Sequence, residues 1–423
     1  MVNSPPMSTQ SVGLAYGQGQ LSVLVPDSNL LGIYNPLPAS AAGDQRSLIA
    51  AAMAKPIGKP RLRDVIRRGQ RVAVLTSDLT RPCPSQDLLP FVIEELTSAG
   101  VPDQDIFIVM GLGLHRFMTE AEIVKALGPE FSKRFRVLNH DINDTIRVGV
   151  TSRGTPVEVF RPVVEADARI CLGVLEYHYF AGYSGGAKGI FPACASRAAV
   201  TANHSFMVRP EAVTGRIEGN PVRADIEEAA AMVGVDFILN VVIDEHRVVG
   251  AVAGDMIAAH RRGCEIIAER GMIPIPRQAD IVVASSGGSP KDINMYQAQK
   301  ALENASYFVR DGGVLILVAE CPEGYGEETF KSWMHAASCP QDLLDRIQRE
   351  FVLGGHKAAA VAAVQARVNV YVVSSWPHEE MRQIGLTPFS DPQSALDAAL
   401  EKLGKDSKVI VLPLAGSTIP KTA

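Results

Sequence analysis

Short apolar runs, most of them β-branched, recur along this chain with loop or helical stretches between them: Val72–Thr76, Ile106–Met110, Ala168–Val174, Asp280–Ala284, Val314–Val318, Val368–Val373 and Val409–Leu412. A run of this kind, apolar without alternation, suits a strand buried on both faces. The intervening segments read as helices over Gln86–Ala99, from Thr119 onward with Glu122 completing a capping box, from Ser196 through His204, and over Pro221–Val233, Asp255–Arg270, Ile293–Ala305 and Pro392–Leu403. Strands alternating with helices imply a parallel, doubly wound sheet. The exceptions are hairpin-like: Ser11–Val25 about Gly17 to Gly19, Ile146–Val150 with Val157–Val163, and Phe237–Ile243 with Val248–Val252 about Glu245 and His246. Phe135–Leu138 adds a further strand.

At 423 residues the chain exceeds one ordinary core. The proline-bearing stretch Gly271–Gln278, just past a helix end, marks the boundary. The expectation is an α/β protein of two domains, a mixed N-terminal one over 1–272 and a Rossmann-like one over 273–423, with the active site in the cleft between them. A net charge of −5 leaves no basic footprint for nucleic acid. The six cysteines show no CxxC pair, so neither a zinc cluster nor a secreted disulfide framework is supported, and a cytoplasmic location fits. Residues 1–11 lack the apolar core of a signal peptide and read as a disordered extension, and no later run is long enough to span a bilayer.

Ligands of open α/β sheets bind beyond the carboxyl ends of strands. The chemistry-bearing loops fall there: Ser77–Pro82, Gly111–Arg116, Glu176–Lys188 and Gly287–Lys300. In the first, Arg81 can clamp a carboxylate or phosphate, against the plainer reading of an exposed turn arginine. In the second, Gly-Leu-Gly-Leu-His-Arg fails as a dinucleotide fingerprint because Arg116 stands where the third glycine belongs. His115 there is a candidate general acid or base, or a surface histidine near a helix start.

The third loop concentrates the unusual residues. Lys188 follows Gly185 and Gly186, but Ala187 before it and Gly189 after it do not make a nucleotide P-loop. A lysine in such a turn can approach a ligand closely or carry a covalent attachment. His178 sits among Tyr177, Tyr179 and Phe180, as an aromatic-walled base or a packing residue. His204 is a metal-ligand candidate, though a lone helical histidine also packs. In the fourth loop Gln297 and Lys300 lie three apart on one helix face beside Tyr296. The remaining histidines show no paired metal-binding spacing and read as structural or surface residues.

Taken in order, SDLTRP, GLGLH, EYHYFAGYSGGAKGI, TANH and PKDINMYQAQKAL resemble the nickel-dependent lactate racemase family over most of the chain. The resemblance implies a racemase or epimerase of 2-hydroxy acids. It implies that Lys188 carries, through a thioamide, a nickel-pincer nucleotide whose nickel is ligated by His204. Asp78, Thr80, the Gly185–Gly186 backbone and Trp376 would lie near that cofactor. His115 and His178 would be the acid/base pair, and Arg81, Gln297 and Lys300 would orient substrate, with Tyr179, Phe180 and Tyr296 as candidates for its wall. Partners would be the hydroxy acid and the cofactor-maturation enzymes, with no nucleic acid or membrane. A nicotinamide-dependent dehydrogenase is the alternative enzyme, and a small-ligand or nickel-binding protein the non-enzymatic one.

Overall fold

The structure, a computed structural model, describes residues 8–36, 44–78, 83–244 and 247–421. The chain forms two compact units, one built from Met1–Leu37 and Gly271–Ala423 and the other from Pro38–Arg270. The chain passes from the one to the other between Arg270 and Gly271. The N-terminal strands, however, belong with the C-terminal half rather than with residues up to 272. These are β1 (Thr9–Tyr16), β2 (Gly19–Pro26) and β3 (Leu30–Ile33). Side chains tie them there: Asp292 Oδ2 accepts from Gly17 N at 2.8 Å, and Ser285 Oγ donates to Ala15 O at 2.6 Å. Of the stretch expected to be disordered, residues 1–7 lie outside the described residues, and Thr9 is already strand.

The unit Pro38–Arg270 contains β4 (Val72–Ser77), β5 (Ile106–Gly111), β6 (Arg136–Asn139), β7 (Thr145–Val150), β8 (Pro156–Phe160), β9 (Ala168–Leu175), β10 (Tyr177–His178), β11 (Gly182–Tyr183), β12 (Phe237–Asp244) and β13 (Arg247–Gly254). Its main sheet has the order β13-β12-β9-β4-β5-β6 and is parallel except for the hairpin β12–β13, whose turn at Glu245 and His246 lies outside the described residues. Central β4 and β5 are apolar on both faces because both faces are covered. Val72, Val74, Ile106 and Ile108 pack with Leu88, Leu89, Val92 and Leu96 of the helix Ser85–Ser98 in one core. Burying side chains of this size contributes roughly 1.5–3 kcal/mol each.

Two expectations in this unit change. The strand drawn to Val163 stops at Phe160, and Arg161–Val164 is a helical turn with proline in its first turn, where a missing N–H costs least. The helix Ala258–Gly271 begins three residues after Asp255, whose Oδ1 accepts from the N–H groups of Ile257 and Ala258. The Thr119–Glu122 capping box is present, and its helix breaks at Gly128 before Pro129.

The other unit adds β14 (Met272–Pro274), β15 (Ala279–Ser285), β16 (Val309–Val318), β17 (Asn369–Val373), β18 (Thr387–Phe389), β19 (Val409–Leu412) and β20 (Ile419–Lys421). Its sheet, β18-β17-β16-β15-β19-β3, is wholly parallel. The proline-bearing boundary is not all linker: β14 pairs in parallel with β20. The Rossmann-like expectation holds for this sheet, with β3 supplied from the chain's beginning. No helix among the described residues is long and apolar enough to cross a membrane.

Candidate active site

Strand register assembles the site. Ser77 pairs with Gly111 and Leu75 with Cys171, so β5, β4 and β9 end side by side and their following loops share one edge of the sheet. Asp78, buried at the end of β4, places Oδ2 2.5 Å from His115 Nδ1 in the loop after β5. A carboxylate only accepts, so this contact puts the proton on Nδ1 and leaves the Nε2 lone pair for proton transfer. Thr80 and Arg81 lie outside the described residues.

The third loop folds back on itself. β10 continues from β9 and pairs with β11, Tyr177 opposite Tyr183 and His178 opposite Gly182. A tight 3₁₀ turn over Gly186–Gly189 then presents Lys188. Its Nζ stands 3.4 Å from His178 Nε2, while His178 Nδ1 accepts from Ala181 N at 3.3 Å. Two donors cannot share the first contact, so the amine and the Nε2 position are not both protonated in this arrangement. The Phe180 ring joins the groups: His178 meets it edge-on at 4.5 Å between centroids, His204 at 4.9 Å, and Lys188 Nζ lies 5.8 Å from its centre. Two imidazoles and an amine thus surround one aromatic ring.

Beneath this loop lies a buried polar plate that sequence reading did not single out. Asn220 Nδ2 donates to Phe180 O at 2.9 Å, and Arg223 Nε to Ala181 O at 3.2 Å. The second arm of Arg223 reaches Tyr183 O, His260 Nε2 contacts Ser184 O at 2.9 Å, and Asn240 Oδ1 accepts from Gly186 N at 2.7 Å. All four side chains are at most 1% exposed. Burial pushes the Arg223 guanidinium down to about 10 and holds His260 well below the ordinary imidazole range, with the neighbouring Arg223 charge adding to the latter. His260, read as structural or surface from sequence, is structural. The only signal available to sequence was polar residues on the apolar-patterned segments that cover the loop.

Gly185 and Gly186 have φ of 73° and 59°, a conformation that L side chains rarely adopt. A Cβ at Gly185 would stand 2.7 Å from Leu175 Cδ2, and one at Gly186 would stand 2.8 Å from His260. Their lack of side chains lets the turn pack down on the sheet and the plate, which aims Lys188 toward His178.

The remaining candidates belong to the other unit. Gln297 and Lys300 are exposed on one face of the helix Met295–Ser306, whose N-cap is Asn294. Tyr296 is half-buried, with Lys357 Nζ 4.1 Å above its ring and its hydroxyl pushed up to about 12 by burial. Trp376 is buried edge-on to Tyr325, and its indole N–H donates to Glu380 Oε2 at 2.9 Å.

The residues around Phe180 suit the group that the motifs imply. Lys188 offers a primary amine for an acyl-type link. Asn203 Oδ1 lies 3.1 Å from His204 Nδ1, so the neutral ring carries its proton there and keeps the Nε2 lone pair a metal needs. Among the described residues no group of three or more His, Cys, Asp or Glu is placed to hold a metal ion.

Fold and site define the class: a two-unit α/β enzyme with imidazole and amine chemistry gathered at the carboxyl edge of a parallel sheet. Residues 16–215 match the lactate racemase N-terminal domain, and residues 275–419 match the lactate racemase C-terminal domain. The chain is 33% identical to the lactate racemase of Thermoanaerobacterium thermosaccharolyticum over 416 residues, covering 95% of this chain and 97% of that one. It is 32% identical to the lactate racemase of Lactiplantibacillus plantarum, covering 95% and 98%. The structure of the Thermoanaerobacterium lactate racemase apoprotein superposes with a TM-score of 0.88 over 98% of this chain and all of that one. A Thermotoga maritima protein at 19% identity and a TM-score of 0.63 shares the fold. The chain belongs to the lactate racemase family and is an isomerase, a racemase.

Proposed function

We propose that this enzyme racemises a 2-hydroxy acid of the lactate type, using a nickel-pincer nucleotide linked to Lys188 and ligated by His204. The observation that carries the reading is the gathering of His178, Lys188 and His204 about the Phe180 ring, with the His115–Asp78 pair on the adjoining strand ends. Relatives named lactate racemase over nearly their whole length support the substrate class.

Removing the α-hydrogen of a hydroxy acid as a proton would place a second negative charge beside the carboxylate, a poor anion. When bound, the nucleotide would supply a reversible hydride acceptor, so that the α-carbon passes through a planar 2-keto acid open on both faces. The protein's part is proton handling and orientation. His115 takes the hydroxyl proton on Nε2, and Asp78 stabilises the resulting imidazolium. His178 serves the opposite enantiomer. Arg81 and Lys300 would hold the carboxylate while the carbonyl turns over, Gln297 would help to orient the substrate, and Tyr296 would belong to the substrate wall. Asp78, Thr80, the Gly185–Gly186 backbone and Trp376 would lie near the cofactor. We place the enzyme in the cytoplasm with the cofactor-maturation enzymes as its partners.

The test is to make the protein alongside those maturation enzymes, then combine chiral analysis of single lactate enantiomers with intact-mass and metal analysis. The expected result is interconversion by protein bearing a nucleotide adduct on Lys188 with nickel. Interconversion by protein whose Lys188 is unmodified would sink the cofactor reading, and loaded protein that leaves every short 2-hydroxy acid unchanged would sink the substrate class.

A further inference from the structure

The helix Pro221–Val233 carries a second buried polar residue besides Arg223, and it leads to His204. Asp225, with no exposed surface, accepts from Thr151 Oγ1 at 2.5 Å and from Asn203 Nδ2 at 2.8 Å. Asn203 is equally buried, and its Nδ2 also donates to Val222 O at 3.2 Å. A carboxylate oxygen and a backbone carbonyl therefore both face the amide nitrogen, which settles the orientation of the carboxamide. Its Oδ1 is the atom that meets His204 Nδ1, at 3.1 Å. A carboxamide oxygen only accepts, so the proton of the neutral ring sits on Nδ1 and the lone pair on Nε2.

We propose that Asn203 and Asp225 are positioning residues that hold His204 in its Nδ1–H tautomer, so that Nε2 is the nitrogen offered to a metal. The use of that nitrogen rests on the reading of His204 as a metal ligand; the tautomer itself is a property of the protein alone. Packing at this depth would be served by an apolar pair without the desolvation cost of a carboxylate and a carboxamide. What the polar pair adds is direction. The chain Thr151–Asp225–Asn203–His204 links the turn after β7, the helix Pro221–Val233 and the helix Arg197–His204, so three separate elements fix one ring. Outer partners of this kind fix ligand tautomer and orientation in metal sites generally.

The experiment uses the full chain without cofactor, labelled with ¹⁵N-histidine, and reads each tautomer from long-range ¹H–¹⁵N correlations; His204→Gln identifies the His204 signals. The parent is expected to show Nδ1–H at His204, and an Nε2–H ring there overturns the proposal. Asn203→Leu, checked for folding by its melting curve, is expected to lose the tautomer preference. The double exchange Asn203→Asp with Asp225→Asn, which keeps an acceptor toward Nδ1 and reverses the bond behind it, is expected to restore Nδ1–H. A folded Asn203→Leu with an unchanged His204 tautomer overturns the positioning role, whatever the parent shows. On loaded protein, nickel retained per Lys188 adduct under a chelator is expected to fall about tenfold or more in Asn203→Leu. A changed tautomer with unchanged nickel retention would count against His204 as the ligand and leave the positioning pair standing.

Discussion

His115 and Asp78, thirty-seven residues apart, meet through Nδ1 and Oδ2 at 2.5 Å across the ends of two adjacent parallel strands. The contact gives the imidazole a direction, because only Nε2 is left with a lone pair. Asp78→Asn keeps the shape and lets the amide donate to Nδ1, which reverses the tautomer. The expected outcome is a fall in turnover on the order of a hundredfold or more, with the melting temperature nearly unchanged. Steady-state rates with each lactate enantiomer check this, and near-normal rates in both directions would mean that the Asp78 contact does not direct His115 in the chemistry.

Lys188 and His178 lie 3.4 Å apart yet have separable roles in the proposed reaction. Protein bearing Lys188→Arg, made with the maturation enzymes, is expected to show no mass adduct. His178→Asn is expected to keep the adduct and lose interconversion. Intact-mass spectrometry and chiral product analysis on the same samples distinguish the two, and full activity of His178→Asn would end the two-histidine scheme.

Arg223 holds two carbonyls of the turn between His178 and Lys188. Arg223→Met leaves both without their donor at a fully buried position, which costs about 3 kcal/mol. Arg261→Met removes a partly exposed partner of Glu227 and is expected to cost about 1 kcal/mol or less. Urea unfolding of the two variants measures the difference. Equal, small losses would mean that the plate does not hold the loop.

His140 is buried edge-on to Phe160, and burial pushes its imidazole down to about 4 from an ordinary 6.5. Its folded value is depressed, so the unfolded chain binds the extra proton between those values. Stability is then full above pH 6.5 and is lost as pH falls toward 4, by roughly 3 kcal/mol for a shift of this size. His260, also held low, acts in the same direction. His140→Leu is expected to flatten the acid limb of a stability-versus-pH curve in that window, and an unchanged limb would contradict the assignment.

Much of the scaffold was legible from patterning. The runs at 72, 106, 168, 280, 314, 369 and 409 are strands, because a segment apolar on both faces has few other places to go. The Thr119–Glu122 box and the Ser196 cap are local chemistry within three residues and stand as read. The edges were harder. The hairpin of β1 and β2 was legible about Gly17 to Gly19, but its attachment to Asp292 and Ser285, far along the chain, was not, because no local signal carries that information. The pairing of β14 with β20 hid behind prolines for the same reason.

By itself, then, the sequence determined most of which segments are strand and helix, which strand-end loops hold His115, His178 and Lys188, and which helix holds His204. Local propensity and apolar periodicity act over a few residues, and the motifs lie within single loops. Tertiary structure alone decided how those side chains are aimed. Asp78 on His115, the plate of Asn220, Arg223, Asn240 and His260 under the lysine turn, and Asp225 behind Asn203 and His204 all join residues from different elements. A hydrogen bond is directional and short-ranged, so its partner exists only once the chain has brought both ends together.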